Sequence, residues 1–353
     1  SAFDKLGIVI LPYHEITEII SPVAEGYSVL LNPRTTSVSL FNSLSKASGL
    51  LEGISIPARL KAVKNKTEIE NIGRVMVSDG VAVTRFFFWL ENNLGRSVLT
   101  ETSLSVKLEE FRSLESNYRG QSFAPVIAFN SNSALPHYDP AVSPATEIGD
   151  RGILLIDSGG HYTGGTTDIT RTIPVGSPTA RQKTDFTMVL KGHINLAMAK
   201  FPEGTRGYQL DILARRALWD AGLNYGHGTG HGVGYYLNVH EGPQNISPYA
   251  NKTMIEAGML LSNEPAIYRE GEYGIRIENL VLCYEDEITE YGCFLKFDTV
   301  SLCYIEKSLI EISMLNQREI NWLNRYHTEV FHKISPYLSE DERLWLKEKT
   351  EKI

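Results

Sequence analysis

The chain has 353 residues, 42% of them hydrophobic, with 22% charged residues and a formal net charge of −8. That length buries a substantial core in one large domain or two. The acidic balance argues against a nucleic-acid partner, which needs a basic stripe, and no run of about 18 apolar residues exists to span a membrane.

Residues 1–60 read as short strands and helices: GIVILPY, then YSVLLNP, then a Ser/Leu-rich segment around 38–53. They look like part of a domain. At KNKTEIENIGRV the apolar period changes to a helical one, with Ile69, Ile72, Met76, Val83 and Leu90 in register. This predicts a long amphipathic helix from 67 to about 93, opened by a capping box of Thr67 and Glu70, and a domain boundary just before it. Further helices are expected at about 101–116, from Thr179 to about 200, and from about 208 to a stop at Gly222. Between and after them lie strand-like runs: APVIAFN, GILLIDSG, TTDITRTI, MLLSNEPAIY, GIRIENLVLCY and FLKFDTVSLCYI. Beyond about 310 the chain turns polar and helical again. The sum is an α+β fold, a curved antiparallel sheet with helices outside it. Cys283, Cys293 and Cys303 form neither a C-x-x-C pair nor a disulfide framework, and buried reduced thiols suit a cytoplasmic chain. No signal peptide is visible; the chain opens without Met and is expected to be trimmed, so a lost signal stays open.

The chemistry lies in two hairpins and a histidine run. In GILLIDSGGHYTGGTTDITRTI, a hairpin symmetric about Tyr162 and Thr163 sets Asp157 opposite Asp168. Like charges facing across a sheet destabilise it. The turn REGEYG likewise brings Glu264 of SNEPAIY close to Glu278 of GIRIEN, both within apolar strands. Surface acids on hairpins are common, and Arg276 could pair with one. Four buried acids together, however, need cations to neutralise them. In HGTGHGVG every second residue from Gly226 to Gly234 is glycine. Read as a strand, one face is stripped for close approach and the other presents His227, Thr229, His231 and Val233. Carboxylate oxygens with one imidazole suit Mn²⁺, Co²⁺ or Zn²⁺. Four acids balance two such ions, and a pair of them is a hydrolytic arrangement.

These residues resemble the metal centre of the pita-bread metallopeptidases, the family of methionine aminopeptidase, prolidase and aminopeptidase P. The likeness covers about residues 60–310 and all five ligand positions: Asp157, Asp168, His231, Glu264 and Glu278. It implies that Asp157 binds one ion, His231 and Glu264 the other, and that Asp168 and Glu278 bridge them. The wording TTDITRT, HGTGHGVGYYLNVHEGPQ, NEPAIY and GIRIENL is most similar to the aminopeptidase P branch. That branch implies hydrolysis of the first bond of peptides with proline second, through a water bridging two divalent ions, manganese being the first expectation. Glu264 would be general base. His137 and His240 would contact the scissile carbonyl and the substrate proline, and His227 would line the pocket. Residues 1–60 would be the end of the second of two N-terminal domains, 61–310 the catalytic domain and 311–353 a C-terminal helical extension, so the chain is expected to be a fragment. Alternatives are a prolidase limited to dipeptides and a metal-free binding module. Trp322, Phe331 and Trp345 could form a homodimer surface, though packing on the chain's own core is the preferred reading.

Overall fold

The computed structural model describes residues 3–136, 138–139 and 146–353. Backbone neighbourhoods divide it into Ser1–Leu60 and Lys61–Ile353. In the first unit, strands Ser28–Leu31 and Gly49–Glu52 pair in parallel, beside helices Ile16–Ala24 and Val38–Ser43. Its core is small: Ala24, Leu31 and Leu44. The strand expected in GIVILPY is absent; residues 8–12 are exposed and carry no regular structure. An apolar run without a pairing partner does not make a strand.

The second unit opens with helix α1, Lys66–Asn93. Its cap lies two residues earlier than expected. Asn65 Oδ1 accepts from Glu68 N at 3.1 Å, and Asn65 N donates to Glu68 Oε2 at 2.9 Å. An Asn cap does the same work as Thr and won because it precedes the first apolar turn. Helix α2, Glu101–Ser113, follows. Strands β1 Val126–Phe129, β2 Gly152–Ser158 and β3 Ile169–Val175 form an antiparallel three-stranded sheet with β2 central. Its apolar face packs under α1 and α2 through Phe86, Leu90, Leu104, Ile127, Leu154 and Ile156.

Helices α3, Ala180–Ala197, and α4, Gly207–Trp219, lead to the second half. Strands β4 Leu260–Asn263, β5 Ala266–Arg269, β6 Tyr273–Arg276, β7 Asn279–Thr289 and β8 Gly292–Thr299 fold as nested hairpins. β4 pairs β7, β5 pairs β6, and β7 pairs β8, which pairs Lys200–Pro202. The two halves meet where Glu278 N donates to Thr170 O and Thr172 Oγ1 donates to Arg276 O. The sheet is thus antiparallel and broken into ladders at the turn where acids are wanted. Helices α5 Gln317–Ile334 and α6 Glu340–Lys349 close the chain. Trp322 is buried in the main core, with Phe331 and Trp345 half-buried against it. This is the expected α+β architecture.

Candidate metal centre

The first hairpin differs from expectation in register. Asp157 pairs with Thr170, and the last pair is Ser158 with Ile169. Gly160–Tyr162 and Gly165–Thr166 then form their own small ladder with Tyr118–Gln121, which takes the chain out of the β2–β3 pairing. Asp168 therefore lies two residues from the position facing Asp157. A shift of two keeps the face, so both carboxylates still point the same way. The second hairpin keeps the expected register: Ala266↔Arg276 in one ladder and Asn263↔Asn279 in the next leave Glu264 opposite Glu278 at the break.

The histidine run is not the continuous strand expected. Gly230–His231 pairs with Asn245–Ile246, and Gly232 bridges Leu261, while residues 226–229 carry no strand. The glycine spacing has a different cause at different positions. A Cβ on Gly230 would lie 1.9 Å from Ser262 O, on Gly232 2.1 Å from Glu241 O, and on Gly234 1.9 Å from Leu237 O. Gly226 and Gly228 line the cleft, as Gly230 does, but a Cβ on Gly226 meets nothing within 4 Å.

Asp157, Asp168, Glu264, Glu278, His227, His231 and His240 all line one cleft of about 580 Å³. Its apolar wall comes from Phe123, Ala124, Val126, Pro136 and Tyr138. His137 lies outside the described residues. His231 Nδ1 donates to Gly232 O at 3.0 Å. In the neutral ring this leaves the lone pair on Nε2, 3.4 Å from Asp168 Oδ2 and 3.5 Å from Glu264 Oε1. That is the tautomer a metal ligand needs. Ligand atoms of Asp168, His231 and Glu278 lie within 4.8 Å of one another. Each glutamate has a positioning partner. Ser262 Oγ donates to Glu264 Oε1 at 3.0 Å, and Thr170 Oγ1 donates to Glu278 Oε2 at 2.7 Å.

Arg276, flagged as a rival partner, does pair: its Nη2 bonds Asp157 Oδ2. Its Nη1 donates to Tyr268 Oη at 2.7 Å, and Tyr268 reaches His227 Nε2 at 2.9 Å. Asp157 Oδ1 nonetheless remains buried with no hydrogen-bond partner among the described residues. An orphaned buried carboxylate oxygen is costly and is the kind of atom a cation satisfies. Burial, with Asp157 and Glu264 nearby, pushes the Asp168 carboxyl well above the usual carboxylate range. Burial and the neighbouring Asp168 do the same to Glu278, and burial raises Glu264 against the pull of His231 and Arg276. The donor set therefore fits divalent cations, with oxygen ligands in excess and one oriented imidazole.

His240 stacks edge-on against His231, ring centroids 4.2 Å apart. Sequence reasoning missed Tyr268, Thr170 and Ser262 as partners and gave no walls for the cleft. The apolar residues flanking His137 in FAPVIAFN and SALPHYDP were the available signal.

Fold and ligand set together define a metallopeptidase of the pita-bread class. The chain belongs to metallopeptidase family M24: the family profile matches residues 70–285, and the profile of the C-terminal region of that family matches residues 293–353. It is 42% identical over 352 residues to a probable Xaa-Pro aminopeptidase P from Laccaria bicolor, covering 96% of this chain and 54% of that protein. It superposes with a TM-score of 0.93 and 38% identity on an X-prolyl aminopeptidase from Caenorhabditis elegans, described as a cytosolic enzyme with a di-nuclear active site, covering 99% of this chain and 59% of that one. The prolidase from Pyrococcus furiosus is less similar: TM-score 0.63 and 26% identity, over 83% of this chain and 81% of that one. The chain spans about half the length of the curated relatives it matches.

Proposed function

We propose that this chain carries the catalytic site of a dinuclear metal aminopeptidase that hydrolyses the first peptide bond of peptides with proline in second place. The observation that carries this reading is the convergence of four acids and the Nε2 of His231 on one cleft. The higher identity to aminopeptidase P relatives than to prolidases favours the longer-peptide activity. Asp157 would hold one ion, His231 and Glu264 the other, with Asp168 and Glu278 shared; manganese is the first candidate. When bound, two divalent ions would polarise a carbonyl and lower the pKa of water towards 7.

The chain's own residues do the rest. Glu264, held by Ser262 and raised by burial, is placed to take a proton from water and return it towards the leaving proline nitrogen. His240, beside His231, is placed to donate to the developing oxyanion. His227 is fixed by Tyr268, which in turn is fixed by Arg276, so the pocket wall is rigid. The wall of Phe123, Ala124, Pro136 and Tyr138 excludes water from one side of the cleft. His137 completes the set as a substrate contact, and a cytoplasmic setting suits the thiols, which are free in Cys283, Cys293 and Cys303.

The test is hydrolysis of Arg-Pro-Pro after chelation, with Mn²⁺, Co²⁺ and Zn²⁺ restored in turn. Activity should vanish on chelation and return with metal. Cleavage of Xaa-Pro dipeptides with the tripeptide resisted would favour prolidase; metal uptake with neither cleaved would favour a binding role.

A further inference from the structure

Behind the two glutamates, on the side away from the cleft, lies a buried polar chain that the proposed reaction does not use. Asn263 immediately precedes Glu264, and Asn279 immediately follows Glu278; the two asparagines face each other across the β4–β7 ladder. Both turn to one residue of α3, His193, which is fully buried. His193 Nδ1 meets Asn263 O at 3.1 Å, and Asn263 Nδ2 returns a bond to His193 O at 2.9 Å. His193 Nε2 meets Asn279 Nδ2 at 3.0 Å. Asn279 Oδ1 accepts from Arg171 Nη2 at 2.8 Å, and Arg171 Nη1 donates to Glu278 O at 2.7 Å.

The hydrogens in this chain can be placed by elimination. A carbonyl only accepts, so His193 Nδ1 must be the donor to Asn263. Burial, with Arg171 adding to it, pushes the imidazole down to about 3, so the ring is neutral and Nε2 is an acceptor. The Asn279 amide must then present Nδ2 to His193 and Oδ1 to the guanidinium. The three side-chain bonds then run one way, from the Arg171 cation through Asn279 and His193 to the Asn263 carbonyl. The peptide that joins Asn263 to Glu264 is held on its other side as well, since Glu264 N donates to Thr229 O at 2.8 Å. Glu278 is held twice in the same manner, its N–H by Thr170 O and its C=O by Arg171.

We infer that Arg171, Asn279 and His193 are positioning residues that fix the backbones of both glutamates, and so set how tightly the centre binds its metal ions. The inference rests on the metal-site reading above. It assigns the polar chain a task that simple core packing would not need. A core histidine could be replaced by a hydrophobe of similar size with little effect on a site it does not touch. A histidine that orients a ligand's peptide could not.

The experiment compares His193→Leu, His193→Gln and Asn279→Ser. Mn²⁺ binding to the metal-stripped protein is measured by calorimetry, together with melting of the metal-stripped form and turnover of Arg-Pro-Pro against Mn²⁺ concentration. Outer partners of this kind contribute about 10–100-fold in metal affinity. His193→Leu and Asn279→Ser should lose that much, and the turnover lost should return as Mn²⁺ is raised. His193→Gln, whose amide can both donate to Asn263 O and accept from Asn279, should recover most of the affinity. If His193→Leu does not fold, Asn279→Ser and His193→Gln carry the comparison. Folded variants that bind Mn²⁺ as the parent does, or that lose stability with an unchanged metal titration, would overturn the inference. A parent protein that binds no Mn²⁺ would instead overturn the metal-site reading beneath it.

Discussion

Gly230→Ala is the sharpest test of how the site is assembled. The added Cβ would sit 1.9 Å from Ser262 O and 2.9 Å from Ser262 C, both backbone atoms of β4. Contacts under 3.0 Å are essentially never seen, so the loop must lift by at least about 1.1 Å, the gap between 3.0 and 1.9 Å. The lift acts at the covalent neighbour of His231 and against the residue whose Oγ holds both His231 N and Glu264. Overpacking of this kind costs about 1–3 kcal/mol of stability. A misplacement of about 1 Å at reacting groups costs about 100-fold in rate. Gly226→Ala is the control, since its Cβ meets nothing within 4 Å. The assay is kcat/KM on Arg-Pro-Pro at saturating Mn²⁺, with thermal melting alongside. Gly230→Ala should fall about 100-fold while Gly226→Ala stays within a few-fold. Equal activities in the two variants would refute the close-approach account of the glycine spacing.

Other outcomes follow from single contacts. Asp168→Ala or His231→Ala should abolish metal-dependent turnover; full activity in either would sink the ligand assignment. Thr170→Val keeps the shape but removes the donor to Glu278 Oε2 and the acceptor for Arg276 Nε. It should destabilise by about 1–3 kcal/mol in urea denaturation. Lys64, buried with Nζ on Val233 O at 2.6 Å, is pushed down to about 8 by burial, which outweighs the opposing pull of Glu241 and Glu68. The unfolded chain keeps that proton to about pH 10.4. Unfolding therefore takes up a proton between pH 8 and that value, and stability contributed by Lys64 rises with pH across the window. Lys64→Met should flatten that rise in melting curves, and an unchanged slope would contradict it.

Four acids of the cleft were legible as a group because hairpins write their register into the sequence. Glu264 and Glu278 sit symmetrically about Gly271 of REGEYG, and the observed pairs keep that symmetry. Asp157 and Asp168 were read on the correct face but two places out of register, because a strand-to-strand spacing does not reveal the small ladder at Gly160–Thr166. The glycines after His227 signalled close approach correctly and extended structure wrongly. What they approach, Ser262, Glu241 and Leu237, lies outside the run or at its far end. His193, Arg171 and Asn279 were not legible as a group. They come from α3, β3 and β7, and only the fold brings a helix histidine against two strand asparagines. A single polar residue on a helix face carries no sign of its partner.

The charge of the cleft gives the reason the acids were worth pursuing. Among the described residues lining it are Asp139, Asp157, Asp168, Glu264 and Glu278, against one permanent cation, Arg276. Arg276 is already engaged with Asp157, Thr170 and Tyr268, so it neutralises one acid and can turn to no other. Fully ionised, the cleft is left with four negative charges in a setting that burial makes hostile to them. Such a site reaches neutrality by taking up protons or by taking up cations. Protons would satisfy charge alone. They would not need an imidazole anchored on Gly232 so that its Nε2 faces two carboxylates, nor a glutamate backbone held on both sides at each of Glu264 and Glu278. That orientation has a purpose only where the ligand has directional bonds, and two divalent cations supply both the directions and the matching charge.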